Sequence, residues 1–455
     1  MEILEDHTTK FLSSIATTTC PVVVFAFPTS YDIHPKMDHL NLIYIKTLDG
    51  HEWLVPGMHH EGVSVCDDEF LDGLNVALDG VDAWTINKKQ LLHLTSGAVS
   101  NIDDINLYQH SNGASIITSH IKFPPRFKKL YRPLSHVPIY HIVSQARQMA
   151  SNAFKVLREA DPIKRDSSYS RHHSHVLMPF YTMERVGIHV DRDVFIEKYG
   201  KSKAHLIDDD SLVYPSYDLY NTSTGRPSNA FGGVNYAAIN KSDGTRKAYT
   251  SRFPNGTLAS YDYDAFHLRL ISKLIDGDPL AKLSYDTNVH EHFGTAYYFK
   301  TSSSLTPDQY KESKKRSFSN LYGTVNPSVA LSGFFADVKT FKQRLWNAYQ
   351  RYGHIQTPIF KRRISDIEDP STSKVFNYML QAFELEVMSI VMKRLQSTLD
   401  MDGVNLCMYT YDSLLFDISQ ERDTPDLHDT IFKVMEWNGI KVKCTKTQES
   451  YHDLG

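Results

Sequence analysis

The sequence predicts a mixed α/β (α+β) chain of more than one domain, and three observations carry that expectation. Apolar runs such as "VVVFAFPTS" (22–30) and the alternating "HLNLIYIKTL" (39–48) read as neighbouring strands. Helical segments with clear start and stop signals follow, notably around 306–322 and 374–398. The turn "DMDG" (400–403) then opens "VNLCMYTYDSLLFDI" (404–418), which reads as a hairpin bent at Tyr411-Asp412-Ser413.

Composition bounds the rest. The chain has 455 residues, 41% hydrophobic and 22% charged, an ordinary globular balance with room for two or three domains. No apolar run approaches the ~18–20 residues of a membrane span. The start "MEILEDH" is not a signal peptide, so a cytoplasmic location and no membrane partner are expected. The four cysteines are scattered without a C-x-x-C pair, which argues against a zinc site or disulfide frame. Net charge is −4 and by itself gives no hint of nucleic acid. Three basic clusters with aromatic neighbours do: "PRFKKLYR" (125–132), "KESKKR" (311–316) and "FKRR" (360–363).

In chain order, a helix is expected at 141–158 and a linker at 158–176, where the sequence is charged and Ser- and His-rich. "LMPFYTMERVGIHVD" (177–191) reads as a helix ending in a turn at Gly187, and 226–253 is polar, Gly-rich and irregular. A strand ending near Asp262 and a helix from Phe266 to about Ile275 come next. Thr306, Pro307 and Gln309 form a capping-box start for a helix that stops at Gly323, expected as a left-handed C-cap. The expected domains are therefore 1–157 and 177–455, joined by 158–176.

Asp262 and Asp412 stand in apolar β surroundings, where a carboxylate is costly unless a cation compensates it. Taken alone, both read as turn formers. The helix at 306–322 changes the balance, because Lys314, Phe318 and Tyr322 share one face at i, i+4, i+8. A cation, a flat ring and a phenol in a row suit a nucleoside triphosphate.

With these residues in view, the chain resembles the family A, DNA polymerase I-like, DNA polymerases. "DYDAFHLR" (262–269) resembles their first palm motif D-Y-S-Q-I-E-L-R. "YKESKKRSFSNLYG" (310–323) resembles the fingers motif R-x-x-x-K-x-x-x-F-x-x-x-Y-G, and "YDS" (411–413) the H-D-E motif. Lesser matches keep the same order: "TGRPSN" (224–229), "VNYAAIN" (234–240), "NVH" (288–290), "YGHIQTPIFKRR" (352–363) and "NYMLQ" (377–381). The resemblance covers about residues 177–455, and the small size of the chain points to a phage-type member of the family.

It implies a right-hand polymerase with palm at 226–285 and 374–455, fingers at 286–373, and a much reduced thumb at 177–225. An α/β exonuclease-like domain would precede it. Asp262 and Asp412 would be catalytic and hold two Mg²⁺ ions, with Mn²⁺ able to substitute and the Tyr263 carbonyl as a further ligand. His267, His290, Lys311, Lys314, Phe318 and Tyr322 would bind the dNTP. Arg226, Asn235, Arg246, Asn377, Gln381 and Tyr411 would contact primer-template DNA, largely through its minor groove and backbone. Asp264 becomes a cap or peripheral acid.

The chain departs from the family at four places. His267 stands where the family has the glutamate that screens the sugar, and Ser413 where it has the last acid of H-D-E. Tyr310 replaces the arginine that opens the fingers motif, with Lys311 one residue on. Too few residues precede "YDLYNTSTGR" for two long thumb helices, which implies weak grip and a processivity partner. In the N-terminal region Ala26, Pro28 and Ser144 occupy positions that exonuclease carboxylates would take, so proofreading is not expected. Two other readings stay open: a single-subunit RNA polymerase-like enzyme, and a non-catalytic nucleic-acid-binding replisome protein.

Overall fold

The computed structural model describes residues 2–4, 9–122, 133–159, 167–230, 233–280, 283, 288–298, 305–326 and 333–454. The basic cluster at 125–132 lies outside the described residues. The chain forms two compact units, one of Met1–Tyr220 with Asn229–Asn235, the other of Asn221–Ser228 with Tyr236–Gly455.

The first unit is built on a six-stranded sheet. Strand Val22–Pro28 is buried throughout; it pairs antiparallel with Leu40–Thr47 and parallel with Ala83–Thr85. Being covered on both faces explains its unbroken apolar run. One face packs Val22, Val24 and Ala26 with Phe11, Phe70 and Leu74. The other packs Val23, Phe25 and Phe27 with Ile142, Val143 and Ala146 of helix Ile139–Glu159. Gln90 Nε2 donates to the Ala26 carbonyl at 2.9 Å.

The stretch expected as a linker differs. Its described part is helical: Ser167–His172 continues through a π turn, His173–Leu177, into helix Met178–Glu184. Composition concealed the apolar anchors. Tyr169 is buried, donates to Asp103 Oδ1 at 2.8 Å and accepts from the Asp104 N–H at 3.0 Å.

Below that helix lies a buried hub. Glu184 Oε2 meets His93 Nε2 at 2.9 Å and His34 Nε2 at 3.5 Å. Its Oε1 accepts from Lys89 Nζ and, at 2.8 Å, from the Tyr217 N–H. The donor set resembles a metal site. Hydrogen bonding argues otherwise: the Lys36 N–H donates to His34 Nδ1 at 3.0 Å. The His34 proton is therefore on Nε2, the atom aimed at Glu184, and a protonated ring nitrogen cannot ligate a cation. Lys89 already supplies the positive charge.

Burial lowers His34 and pushes His93 down to about 3 from its ordinary 6.5, outweighing the attraction of Glu184. Both rings are neutral in the folded state. Below about pH 6.5 the unfolded chain binds protons that the folded chain does not, so this stability is present above that pH and lost as pH falls. The slope approaches about 1.4 kcal/mol per pH unit for the His93 ring. Thermal melts between pH 7.5 and 5 are expected to fall steeply, and His93→Gln to flatten the dependence.

The second unit centres on a four-stranded sheet ordered Val404–Thr410, Ser413–Ile418, Thr257–Tyr263, Val442–Thr447. All three pairings are antiparallel. The buried Asp417 carboxylate ties strand to loop, accepting from Arg252 Nε at 3.0 Å and from Ser251 Oγ at 2.5 Å. Helix Thr372–Thr398 runs through the core. By length and composition it could cross a membrane, contrary to the sequence expectation, but 78% of its apolar window is buried inside the protein. It is long and apolar because it is covered on most sides.

Candidate active site

Strand Thr257–Tyr263 carries Asp262 one residue from its end, opposite Ser413 on one side and Lys443 on the other. Asp412 sits at the hairpin bend immediately before Ser413. Tyr411 makes that bend in a left-handed conformation (φ 63°). The Tyr263 N–H donates to the Asp412 carbonyl at 3.1 Å, and Ser260 Oγ and Ser413 Oγ are 2.9 Å apart. Sheet register thus brings together two carboxylates that are 150 positions apart in sequence.

Asp262 is open to solvent on one side, yet the protein packed around it and the Asp412 charge push its carboxyl up to about 7. Burial and the Glu384 charge raise Asp412 as well. Lys241 and Lys314 oppose the shift at Asp262. Two carboxylates that resist joint ionisation in one place fit a divalent-cation seat, since cations would remove the repulsion. The Tyr263 side chain points away, its hydroxyl donating to the Met435 carbonyl.

Helix Pro307–Tyr322 begins with the expected capping box between Thr306 and Gln309. Thr306→Ala is expected to cost about 1 kcal/mol in a thermal or chemical denaturation. The helix buries Ser313, Ser317 and Leu321. Small residues let it approach helix Val289–Tyr298, where a Cβ on Gly294 would lie 3.0 Å from Ser313 Oγ. That burial leaves Lys311 and Lys314 exposed, with Phe318 and Tyr322 stacked at 5.7 Å. Gly323 is not the left-handed cap expected. Its φ is −97°, and glycine is needed because a Cβ would sit 2.8 Å from the Ser319 carbonyl.

The helix end is anchored firmly. The Lys342 ammonium, lowered to about 8 by burial, donates to the carbonyls of Asn320 (3.2 Å) and Gly323 (2.7 Å). Asn377 Nδ2 donates to the Tyr322 carbonyl at 3.2 Å. From helix Phe266–Leu274, His267 Nδ1 meets the Tyr322 hydroxyl at 2.6 Å.

The other expected residues fall in different settings. His290 is buried against Phe318 (ring centroids 5.0 Å apart), and burial pushes its imidazole down to about 4. Arg226 stacks 3.5 Å over the Tyr411 ring. Arg246 is buried, its guanidinium 4.1 Å over Tyr451. Gln381 is half-buried on the long helix, and Asn235 is an exposed residue of the first unit. Asp264 is not a helix cap, since Ala265 takes that position; it pairs with Lys443 at 3.6 Å. In "FKRR", Arg362 is buried and donates to the Ser223 carbonyl at 2.8 Å, so only Lys361 and Arg363 face solvent.

Arg226 Nε, His290 Nδ1 and Asn377 Oδ1 are among the buried polar atoms of the described residues that have no hydrogen-bond partner. Buried polar atoms are seldom left so. All three belong to the expected nucleotide and DNA contacts.

Two residues escaped sequence reading. Glu384 follows Asn377 and Gln381 at helical spacing, a signal that could have found it. Lys241, whose charge acts on Asp262, lies in the polar "NKSDG" loop and carried no such signal.

No known protein family and no curated protein matches the sequence. Among solved structures the chain is similar to the POL domain of Pol1 from M. smegmatis in complex with DNA primer-template and dNTP, with a TM-score of 0.74. The match covers 99% of each chain at 13% identity. The fold of this protein is that of a DNA polymerase domain.

Proposed function

We propose that the protein is a template-directed DNA polymerase that adds dNTPs to a primer 3′-hydroxyl by a two-metal mechanism, without proofreading. The observation that carries this is the joining of Asp262 and Asp412, both raised by burial and neighbouring charge, at one end of the central sheet. Asp262 and Asp412 would hold two Mg²⁺ ions, which lower the pKa of an attacking hydroxyl and stabilise leaving oxygens. Lys314 and Lys311 offer exposed charge to a triphosphate, and the orphaned His290 Nδ1 offers it a further polar contact. Phe318 and Tyr322 would line the sugar and base. Arg226, Asn377, Gln381 and Tyr411 would meet the primer-template, the ligand that the Pol1 structure carries with a dNTP. Asn235 and Arg246 would also contact the DNA.

Residues 1–157 are read as exonuclease-like and inactive, because Ala26 and Pro28 occupy the strand positions where paired acids would bind metals. Between Asp191 and Tyr217 the chain forms one α-helix, the eight-residue Arg192–Tyr199, with a short 3-10 turn and the two-residue strand Leu212–Val213. Such a helix spans about 12 Å, which supports a reduced thumb, weak grip and a processivity partner. A cytoplasmic, phage-type replicative role is part of the same proposal.

Primer extension with dNTPs and rNTPs in parallel, on primed and unprimed templates, tests it. Mg²⁺-dependent dNTP addition on primed DNA is expected. Preferential rNTP addition would favour the RNA polymerase-like reading, which His267 keeps in play. Template binding without any addition would favour a scaffold.

A further inference from the structure

Glu384 lies outside every segment that carried the family resemblance. It is buried at 1% exposure in the middle of helix Thr372–Thr398, on the face shared by Asn377 and Gln381. Its carboxylate contacts His267 Nε2 at 2.8 Å and Arg226 Nη2 at 3.1 Å. A carboxylate only accepts, so His267 carries a proton on Nε2. That leaves Nδ1 facing the Tyr322 hydroxyl, which burial keeps protonated and able to donate. The chain of contacts is Tyr322–His267–Glu384–Arg226–Tyr411, and its last member adjoins Asp412.

Apolar packing would fill this volume at lower cost than a buried charge, so stability alone does not account for Glu384. Its two partners reach different elements of the site. One holds the end of the helix bearing Lys314 and Phe318, the other stacks on the hairpin bend.

We propose that Glu384 is a positioning residue that couples the two elements, fixing the His267 tautomer that holds Tyr322 and the Arg226 guanidinium that rests on Tyr411. This rests on the polymerase reading, in which Tyr322 meets the incoming nucleotide and Arg226 the primer-template. A primer-template displaced at Arg226 would then be felt at Tyr322 through one shared carboxylate.

The test uses the full chain with Tyr322→Phe, Arg226→Lys and their double variant, in backgrounds with and without Glu384→Gln. The amide keeps the shape but has no charge to share. With Glu384 present, the losses in kcat/KM for dNTP addition should be non-additive by about 10-fold. With Glu384→Gln they should become additive, and extension from a mismatched primer end should rise relative to a matched one. Additivity with Glu384 present, or coupling that survives Glu384→Gln, would overturn the proposal. If Glu384→Gln does not fold, His267→Ala breaks the same link while leaving the Glu384–Arg226 pair, and must abolish the coupling equally.

If the unmodified chain adds no nucleotide, the polymerase reading fails and the linkage is read from His267 ring ¹⁵N shifts. A single Nε2–H tautomer that becomes mixed in Glu384→Gln supports the linkage. A tautomer indifferent to Glu384 refutes it.

Discussion

Asp262→Asn and Asp412→Asn are each expected to lower primer extension by about 10³-fold or more, the scale of removing a group that stabilises transition-state charge through a metal. Neither should unfold the protein. Both carboxyls are raised in the folded state, so at neutral pH their ionisation opposes folding. Neutralising one relieves the other, and the melting temperature should hold or rise. Mg²⁺ or Mn²⁺ should raise the melting temperature of the unmodified chain and lose that effect in either variant. Normal extension by both variants would sink the assignment of these aspartates.

Glu184→Ala is expected to destabilise the first unit by about 3–5 kcal/mol, because it strands the Lys89 charge and uncaps two buried histidines. That is a large part of a typical total of about 5–15 kcal/mol, so the variant should melt or unfold in urea far earlier. Pairing it with Lys89→Met should recover most of the loss, since no unpaired charge then remains. A loss below about 1 kcal/mol for Glu184→Ala alone would mean that water reaches the hub and replaces the carboxylate.

Much of the second unit was legible because its signals are local. The capping box at Thr306–Gln309, the stripe Lys314–Phe318–Tyr322 and the bend at Tyr411-Asp412 each depend on neighbours within a turn or two. The structure keeps all three. Local rules failed where tertiary packing set the outcome. Residues 158–176 look like a linker, but their described part is helical and Tyr169 ties it to Asp103 and Asp104. Gly323 looks like a left-handed cap, but close approach to Ser319 is what requires it.

The candidate site divides in the same way. Asp262, Lys314, Phe318, Tyr322 and Asp412 stand out by residue type and spacing, because backbone periodicity fixes which side chains share a face. That periodicity says nothing of which distant side chains meet. Only the folded sheet sets Asp262 beside Asp412, and only the packing of two helices and the loop carrying Arg226 places Glu384 between His267 and Arg226. Hydrogen bonds act over about 3 Å while their partners here are more than a hundred residues apart. The chain alone therefore names the candidate groups, and their electrostatics and mutual support arise only when the elements pack.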